Sequence, residues 1–337
     1  MVTSPDPAPR GQRDLVVVGA SAGGVEALGQ LVRQLPPELP AAILVVLHVA
    51  ASGTSVLPEI LRRRGRLPVA TAVDGDPIAR GQIYVAPNDL HLLVHDDRLT
   101  LSRGPRENGH RPAIDPLFRS AARAYAERVI GVILSGMLDD GAAGLRFIKE
   151  HGGAAVVQDP DDAMYAAMPT AALQAVQADR VVPLDALGAT IEELIDAGVD
   201  APSRPDGPAH GELDRVELDP NQVALVDGPA SGLICPDCGG ALWVDEAGLV
   251  PRFTCQVGHS YSPESLVEEQ GQAVERTLWA ALRALEERSD LLRRLARRTE
   301  GRARDRIEIR ARDADEHAAS LRDVLMASGR PPREAGS

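Results

Sequence analysis

Residues 15–24 read Leu-Val-Val-Val-Gly-Ala-Ser-Ala-Gly-Gly, an apolar β-branched run that halts at Gly19 with a serine shortly beyond it. A short continuous apolar run bounded by glycines is the pattern of a strand buried on both faces of a parallel sheet. Gly19, Gly23 and Gly24 permit a tight turn before the helical spacing that starts at Val25. The turn leaves Ser21 at the carboxyl edge of a sheet. Gly19-Ala20-Ser21-Ala22-Gly23 also fits G-x-S-x-G, the turn that presents a nucleophilic serine, where backbone N–H groups near a helix start can steady an oxyanion. A phosphate- or dinucleotide-binding turn is the competing reading. It is weakened because the dinucleotide fingerprint places glycine where Ser21 stands.

Downstream, Val25, Leu28, Leu31, Val32 and Leu35 share one helical face that Pro36-Pro37 ends. Residues 41–47 are a second buried strand. It delivers His48 to the same edge as Ser21, because parallel strands bring their carboxyl ends together. Residues 54–64 have helical spacing. Residues 82–86, 91–94 and 99–102 read as short strands of an antiparallel hairpin at a sheet edge, with His91 and His95 facing solvent. Residues 104–116 form a long polar loop in which His110 and Arg111 are placed to meet a polar or acidic substrate. Asp115 reads as the N-cap, and Pro116 as the first residue, of a helix over 117–126.

A third core strand, 129–135, runs into Gly136-Met137-Leu138-Asp139-Asp140-Gly141. One of these aspartates suffices to cap the helix that follows over 142–150. A strand over 154–157, a helix through Val176, a strand over 181–184 and a helix over 191–197 complete the unit. The fold class is α/β, with a doubly wound, mainly parallel sheet and an antiparallel hairpin.

Ser21, His48 and one of Asp139 or Asp140 therefore reach one edge of the sheet. That is a full acyl-transfer set: the imidazole takes the serine proton, and the carboxylate fixes the tautomer and supports the imidazolium. The chain order Ser, His, Asp differs from that of α/β-hydrolases. A formal net charge of −13 over 337 residues argues against nucleic acid or an anionic membrane surface as partner. No apolar run approaches the ~20 residues of a membrane span, and residues 1–13 lack the apolar core of a secretion signal. The expectation is a cytoplasmic protein with no membrane insertion.

The blocks Val-Gly-Ala-Ser-Ala-Gly-Gly, Val-Leu-His, Ile-Tyr-Val-Ala-Pro, Gly-His-Arg-Pro-Ala-Ile-Asp, Leu-Ser-Gly-Met-Leu-Asp-Asp-Gly and Val-Gln-Asp-Pro occur in this order. Over residues 14–197 the chain resembles the catalytic domain of the chemotaxis receptor-glutamate methylesterases, the CheB family. The resemblance implies Ser21 as nucleophile, His48 as base and then acid, Asp140 as the orienting carboxylate and Asp139 as a bystander. It implies backbone N–H groups near His48 and Met137 as the oxyanion hole. The implied reaction is hydrolysis of glutamate methyl esters on cytoplasmic chemoreceptor helices, with glutamine deamidation open to the same chemistry and no cofactor for catalysis. Leu138 stands where the family pattern has glycine. Only about a dozen residues precede the first strand, so no receiver domain is expected and hydrolysis should need no phosphodonor. A non-catalytic signalling scaffold is the alternative.

Residues 198–232, rich in Pro, Asp, Gly and Ala, read as a linker. Beyond it, Cys235-Pro-Asp-Cys238 is followed by Cys255 and His259. These are the chain's three cysteines, too few for a closed disulfide set, and with His259 they make two close ligand pairs suited to tetrahedral Zn²⁺. A C-x-x-C redox pair is the alternative. Residues 233–262 are thus expected to be a zinc-ribbon-like module with a structural metal, whose removal should unfold the module and leave ester hydrolysis intact. Over 263–329, Leu278, Leu282, Leu285, Leu292 and Leu295 mark one helix. Ile307, Ala311, Ala314, Ala318, Leu321 and Leu325 mark a second, giving a helical hairpin or a seam for self-association. Arg293, Arg294, Arg297 and Arg298 form a basic patch there.

Overall fold

The computed structural model describes residues 11–49, 55–199, 228–246 and 250–327. The chain divides into two compact units, one ending at Leu266 and the other beginning at Val267. Most of the expected linker, residues 200–227, lies outside the described residues.

The first unit is built on β1 (Leu15–Ala20), α1 (Gly24–Gln34), β2 (Ala42–Leu47), α2 (Leu57–Arg64), β3 (Val69–Thr71) and β4 (Ile83–Val85). It continues through β5 (His91–His95), β6 (Arg98–Ser102), α3 (Ile114–Tyr125), β7 (Val129–Ile133), α4 (Ala142–Glu150), β8 (Ala154–Gln158), α5 (Ala167–Ala175), β9 (Arg180–Val182) and α6 (Leu187–Asp196). Seven strands form one sheet in the order β3-β4-β2-β1-β7-β8-β9. Every pairing in it is parallel. All residues of β1 and β2 are buried, because helices cover both faces. Val16, Val18 and Ala20 enter one core with Leu28, Leu31 and Ile191; Leu15 and Val17 enter the other with Phe118, Leu145 and Met168. The chain leaves β1 toward β2 on one side and returns to β7 on the other. The carboxyl end of β1 is therefore the switch point, where open α/β sheets open a crevice.

The region between β2 and α3 departs from expectation. Ile83–Val85 joins the main sheet between β2 and β3, and β3 itself carries no marked apolar run. The hairpin β5–β6 forms its own two-stranded sheet rather than an edge of the large one. Leu92, Val94 and Leu99 of that hairpin are buried in the second core, and the Val94 N–H donates to Ser120 Oγ of α3 at 3.1 Å. His91 is accordingly buried, not solvent-facing: its Nε2 lies 2.9 Å from the Pro105 carbonyl, and its Nδ1 accepts the Ala113 N–H. A three-residue apolar stretch cannot report whether its partner is parallel or antiparallel, and β4 pairs in parallel with β2 and β3 instead of joining the hairpin.

Helix α3 starts at Ile114 behind an extended Ala113, so Asp115 is not its N-cap. Asp115 instead caps α4 from outside, its Oδ1 accepting the N–H groups of Gly141 (3.1 Å) and Gly144 (2.7 Å). Neither Asp139 nor Asp140 caps α4 with its side chain, and Gly141, at φ 91°, occupies the N-cap position.

Still in the first unit, β10 (Ala230–Ile234), β11 (Ala241–Asp245), β12 (Arg252–Cys255) and β13 (Ser260–Tyr261) form a four-stranded antiparallel ribbon. Leu242, Tyr261 and Leu266 pack beside Cys235 and Cys255 in its small core. Helix α7 (Pro263–Ala296) starts here and continues into the second unit, where it pairs with α8 (Arg302–Ala327). Leu282 meets Ala318 and Leu325 there. Ser289 Oγ donates to the Ala311 carbonyl, and Arg293 pairs with Asp315 and Arg322 with Glu286.

Candidate functional site

Ser21 follows β1 directly. The turn that lifts it is held by the Ser21 N–H to the Ser135 carbonyl (3.0 Å) and the Gly24 N–H to the Ser21 carbonyl (2.8 Å). Gly23 takes φ 74°, a left-handed conformation open to glycine, and a Cβ there would sit 2.8 Å from Ser135 Oγ. His48 follows β2. Its Nδ1 lies 3.2 Å from Ser21 Oγ, and its Nε2 lies 2.7 Å from Asp140 Oδ2. With the proton on Nε2, the ring donates to the carboxylate and offers the Nδ1 lone pair to the hydroxyl. The two nitrogens are used in the reverse sense to the chymotrypsin arrangement, with the same outcome for proton flow.

Asp140 is buried and receives three further donors: the Ile114 N–H (2.6 Å), Asn108 Nδ2 (3.0 Å) and the Asp115 N–H (3.3 Å). Burial alone would raise its pKa. The hydrogen bond and charge of His48, with the Ile114 N–H, outweigh burial and hold the carboxyl below the usual range. Asp115, beside it, is pushed up to about 6 by burial and then by the charge of Asp140.

His110 stacks on the His48 ring, centroids 3.7 Å apart and planes 16° from parallel. Burial, and then the positive potential of His48, lower its pKa to about 3, so it is a neutral lid on the ring. Arg111 is engaged elsewhere, by Asp89 (2.6 Å) and the Gly104 carbonyl (2.9 Å). The His48 N–H donates to the Ala20 carbonyl at 3.1 Å as the last rung of the β1–β2 ladder, so it is not free to hold an oxyanion. Gly136, the residue before Met137, lies against Ser21: a Cβ on Gly136 would fall 3.0 Å from Ser21 Cβ. Leu138 takes φ 62°, left-handed backbone in a bulky, branched residue. Such a conformation costs about 1–2 kcal/mol.

Sequence reasoning passed over Asn108 and the partners of Asp139, the aspartate it set outside the triad. Asn108 sits in the Glu107-Asn108-Gly109 turn at φ 50°, and asparagine before glycine was its only signal. Asp139 accepts the Ser262 and Ser265 hydroxyls, each at 2.8 Å, while burial pushes its carboxyl up against their pull.

In the ribbon, the ligand atoms of Cys235, Cys238, Cys255 and His259 all lie within 4.8 Å of one another. Cys238 Sγ is 3.6 Å from Cys255 Sγ, and His259 Nδ1 is 3.7 and 3.5 Å from the sulfurs of Cys235 and Cys255. Tetrahedral zinc with Zn–S near 2.3 Å and Zn–N near 2.0–2.1 Å has edges of about 3.8 Å (S···S) and about 3.6 Å (S···N). The four residues fit that ion, and all three thiols are free of disulfide.

Fold and site together define a class: doubly wound α/β proteins with serine, histidine and aspartate converging at the carboxyl edge of a parallel sheet. Residues 16–191 match the CheB methylesterase family, and the chain belongs to it. It is 42% identical over 188 residues to a protein-glutamate methylesterase/protein-glutamine glutaminase 2 of Anaeromyxobacter dehalogenans, covering 56% of this chain and 55% of that protein. A putative protein-glutamate methylesterase/protein-glutamine glutaminase of Leptospira interrogans is 40% identical over 173 residues, covering 51% of this chain and 90% of that protein. The crystal structure of the Thermotoga maritima CheB methylesterase catalytic domain aligns with a TM-score of 0.52 at 32% identity, over 54% of this chain and 98% of that one. The chain thus spans about half the length of the Anaeromyxobacter relative. Among the described residues, no helix is long and apolar enough to cross a membrane.

Proposed function

We propose that the chain hydrolyses glutamate methyl esters on the cytoplasmic helices of chemoreceptors. The observation that carries the reading is the single imidazole placed between Ser21 Oγ at 3.2 Å and Asp140 Oδ2 at 2.7 Å. Ser21 Oγ attacks the ester carbonyl as its proton passes to His48 Nδ1, and Asp140 supports the imidazolium through Nε2–H. The tetrahedral intermediate collapses, and methanol leaves with the proton from Nδ1. Water, deprotonated by the same nitrogen, then attacks the acyl-enzyme and releases the glutamate carboxylate. The Met137 N–H is the oxyanion donor in this scheme. The names of the relatives favour a second reaction at the same site, deamidation of receptor glutamine, in which ammonia leaves in place of methanol.

His110, stacked on the catalytic ring, lines the substrate approach. Arg111 serves it indirectly, by fixing the loop over 104–111 to Asp89. The ribbon holds a structural Zn²⁺ through Cys235, Cys238, Cys255 and His259, and no catalytic step passes through it. The direct test is methanol release from methyl-esterified receptor helices, beside labelling by a fluorophosphonate. Wild type should turn over and label. Ser21→Ala should lose labelling and at least about 10⁴-fold in kcat. A labelled, fully active Ser21→Ala protein would refute the assignment.

A further inference from the structure

The ribbon, residues 230–262, lies beyond the stretch that matches the family, yet it makes direct hydrogen bonds to the groups around Asp140. Asn108 is the main link. It is 2% exposed and uses both ends of its amide: Nδ2 donates to Asp140 Oδ1 at 3.0 Å, and Oδ1 accepts the Ser262 N–H at 3.1 Å. Its own N–H donates to the Ser260 carbonyl at 2.8 Å. An amide can rotate half a turn at little steric cost, which would present oxygen to the Asp140 carboxylate. The Ser262 N–H forbids that rotation, because it requires the oxygen on its own side. Ser260–Ser262 follows directly on His259, and the Cys255 N–H to His259 carbonyl bond (3.0 Å) closes the turn that leads there.

Arg252 is the second link. It donates to Asp115 Oδ2 at 3.1 Å and to Glu107 Oε2 at 2.9 Å, while Arg119 holds the other side of Glu107. Asp115 and Asp140 are two buried carboxylates joined by one amide, an arrangement that needs a cation close by to keep both in place. Asp115 in turn fixes the Gly141 and Gly144 N–H groups, and so the backbone just after Asp140. A third contact, from the hydroxyls of Ser262 and of Ser265 in the first turn of α7, reaches Asp139 and fixes the backbone just before Asp140.

We propose that the Cys₃His ribbon is a positioning module for the triad carboxylate, with Arg252 and Ser262 as its positioning residues and Asn108 and Asp115 as the groups they act through. The proposal rests on the hydrolase reading above. It replaces the expectation that the ribbon and the esterase are independent.

The test uses the full chain in two arms: Arg252→Met with Arg252→Lys as the conservative variant, and wild type treated with a zinc chelator and then given Zn²⁺ back. Each is assayed for methanol release and followed by amide hydrogen exchange. The expected result is a fall of about 10–100-fold in kcat at constant KM, since misplacing a catalytic group by about 1 Å costs on the order of 10²-fold. Exchange should quicken over residues 106–116 and 139–141 while β1 and β2 stay protected. Arg252→Lys and added Zn²⁺ should each recover activity. Unchanged kcat in both arms overturns the proposal, as does a rise in KM alone. Loss of protection across β1 and β2 also overturns it, because the ribbon would then merely stabilise the fold. A wild type that neither releases methanol nor labels at Ser21 sinks the hydrolase reading instead, and the exchange data still report whether the ribbon holds the Asp140 loop.

Discussion

Asp140→Asn keeps the shape of the side chain and removes one acceptor, and the structure shows why neither orientation of the new amide works. Asp140 Oδ2 serves His48 Nε2 and the Ile114 N–H; Oδ1 serves Asn108 Nδ2 and the Asp115 N–H. If the amide oxygen faces His48, the amide nitrogen confronts the two donors from Asn108 and Asp115. Each buried donor left without an acceptor costs about 1–3 kcal/mol, so the expected loss of stability is about 2–6 kcal/mol. If the nitrogen faces His48, the ring must shift its proton to Nδ1 and has no lone pair for the Ser21 hydroxyl. The wrong tautomer in a Ser-His-Asp protease lowers kcat by about 10⁴, and the same order is expected here. The assay is initial-rate methanol release from methyl-esterified receptor helices, beside a thermal melt of the same preparation. A variant that melts as wild type does and keeps kcat within tenfold would refute the reasoning, because the carboxylate would then not set the ring's tautomer.

Two further substitutions probe the neighbourhood. His110 has its folded pKa lowered to about 3 from an ordinary value near 6.5, so the unfolded chain binds its proton first as pH falls. Its stabilising contribution is complete above pH 6.5 and drains away between pH 6.5 and about 3. His110→Phe, which keeps the stack on His48, should flatten the stability profile measured by denaturant unfolding across that window; an unaltered slope would show that His110 does not titrate as described. Leu138→Gly removes left-handed strain of about 1–2 kcal/mol and adds the backbone entropy of glycine, about 0.5–1 kcal/mol. Stability should therefore be unchanged or rise by up to ~1.5 kcal/mol on thermal unfolding, and a loss above ~2 kcal/mol would mean that the leucine side chain, not its backbone, holds the loop.

The strands that carry chemistry were legible because burial on both faces writes itself into sequence as unbroken apolar runs. β1, β2 and β7 stand out in that way, and each is followed at once by the polar residue or turn it delivers. The Cys-x-x-Cys and Cys-x-x-x-His pairs were legible for a similar reason, since residues able to share one metal ion come in short, fixed spacings, and the structure brings these four together. β3 and β4 were not, because three-residue strands hold too few side chains to show a period or a partner.

What the sequence by itself determined is the parallel α/β class, the edge on which Ser21 and His48 meet, and the three cysteines and one histidine that gather in the ribbon. All three follow from local pattern. Only the tertiary structure decided what surrounds Asp140. The capping of α4 by Asp115, the grip of Asn108 and the reach of Arg252 join residues 26 to 137 positions apart. Hydrogen bonds over such separations leave no periodicity, because each polar side chain reads alike whether it faces water or a buried partner.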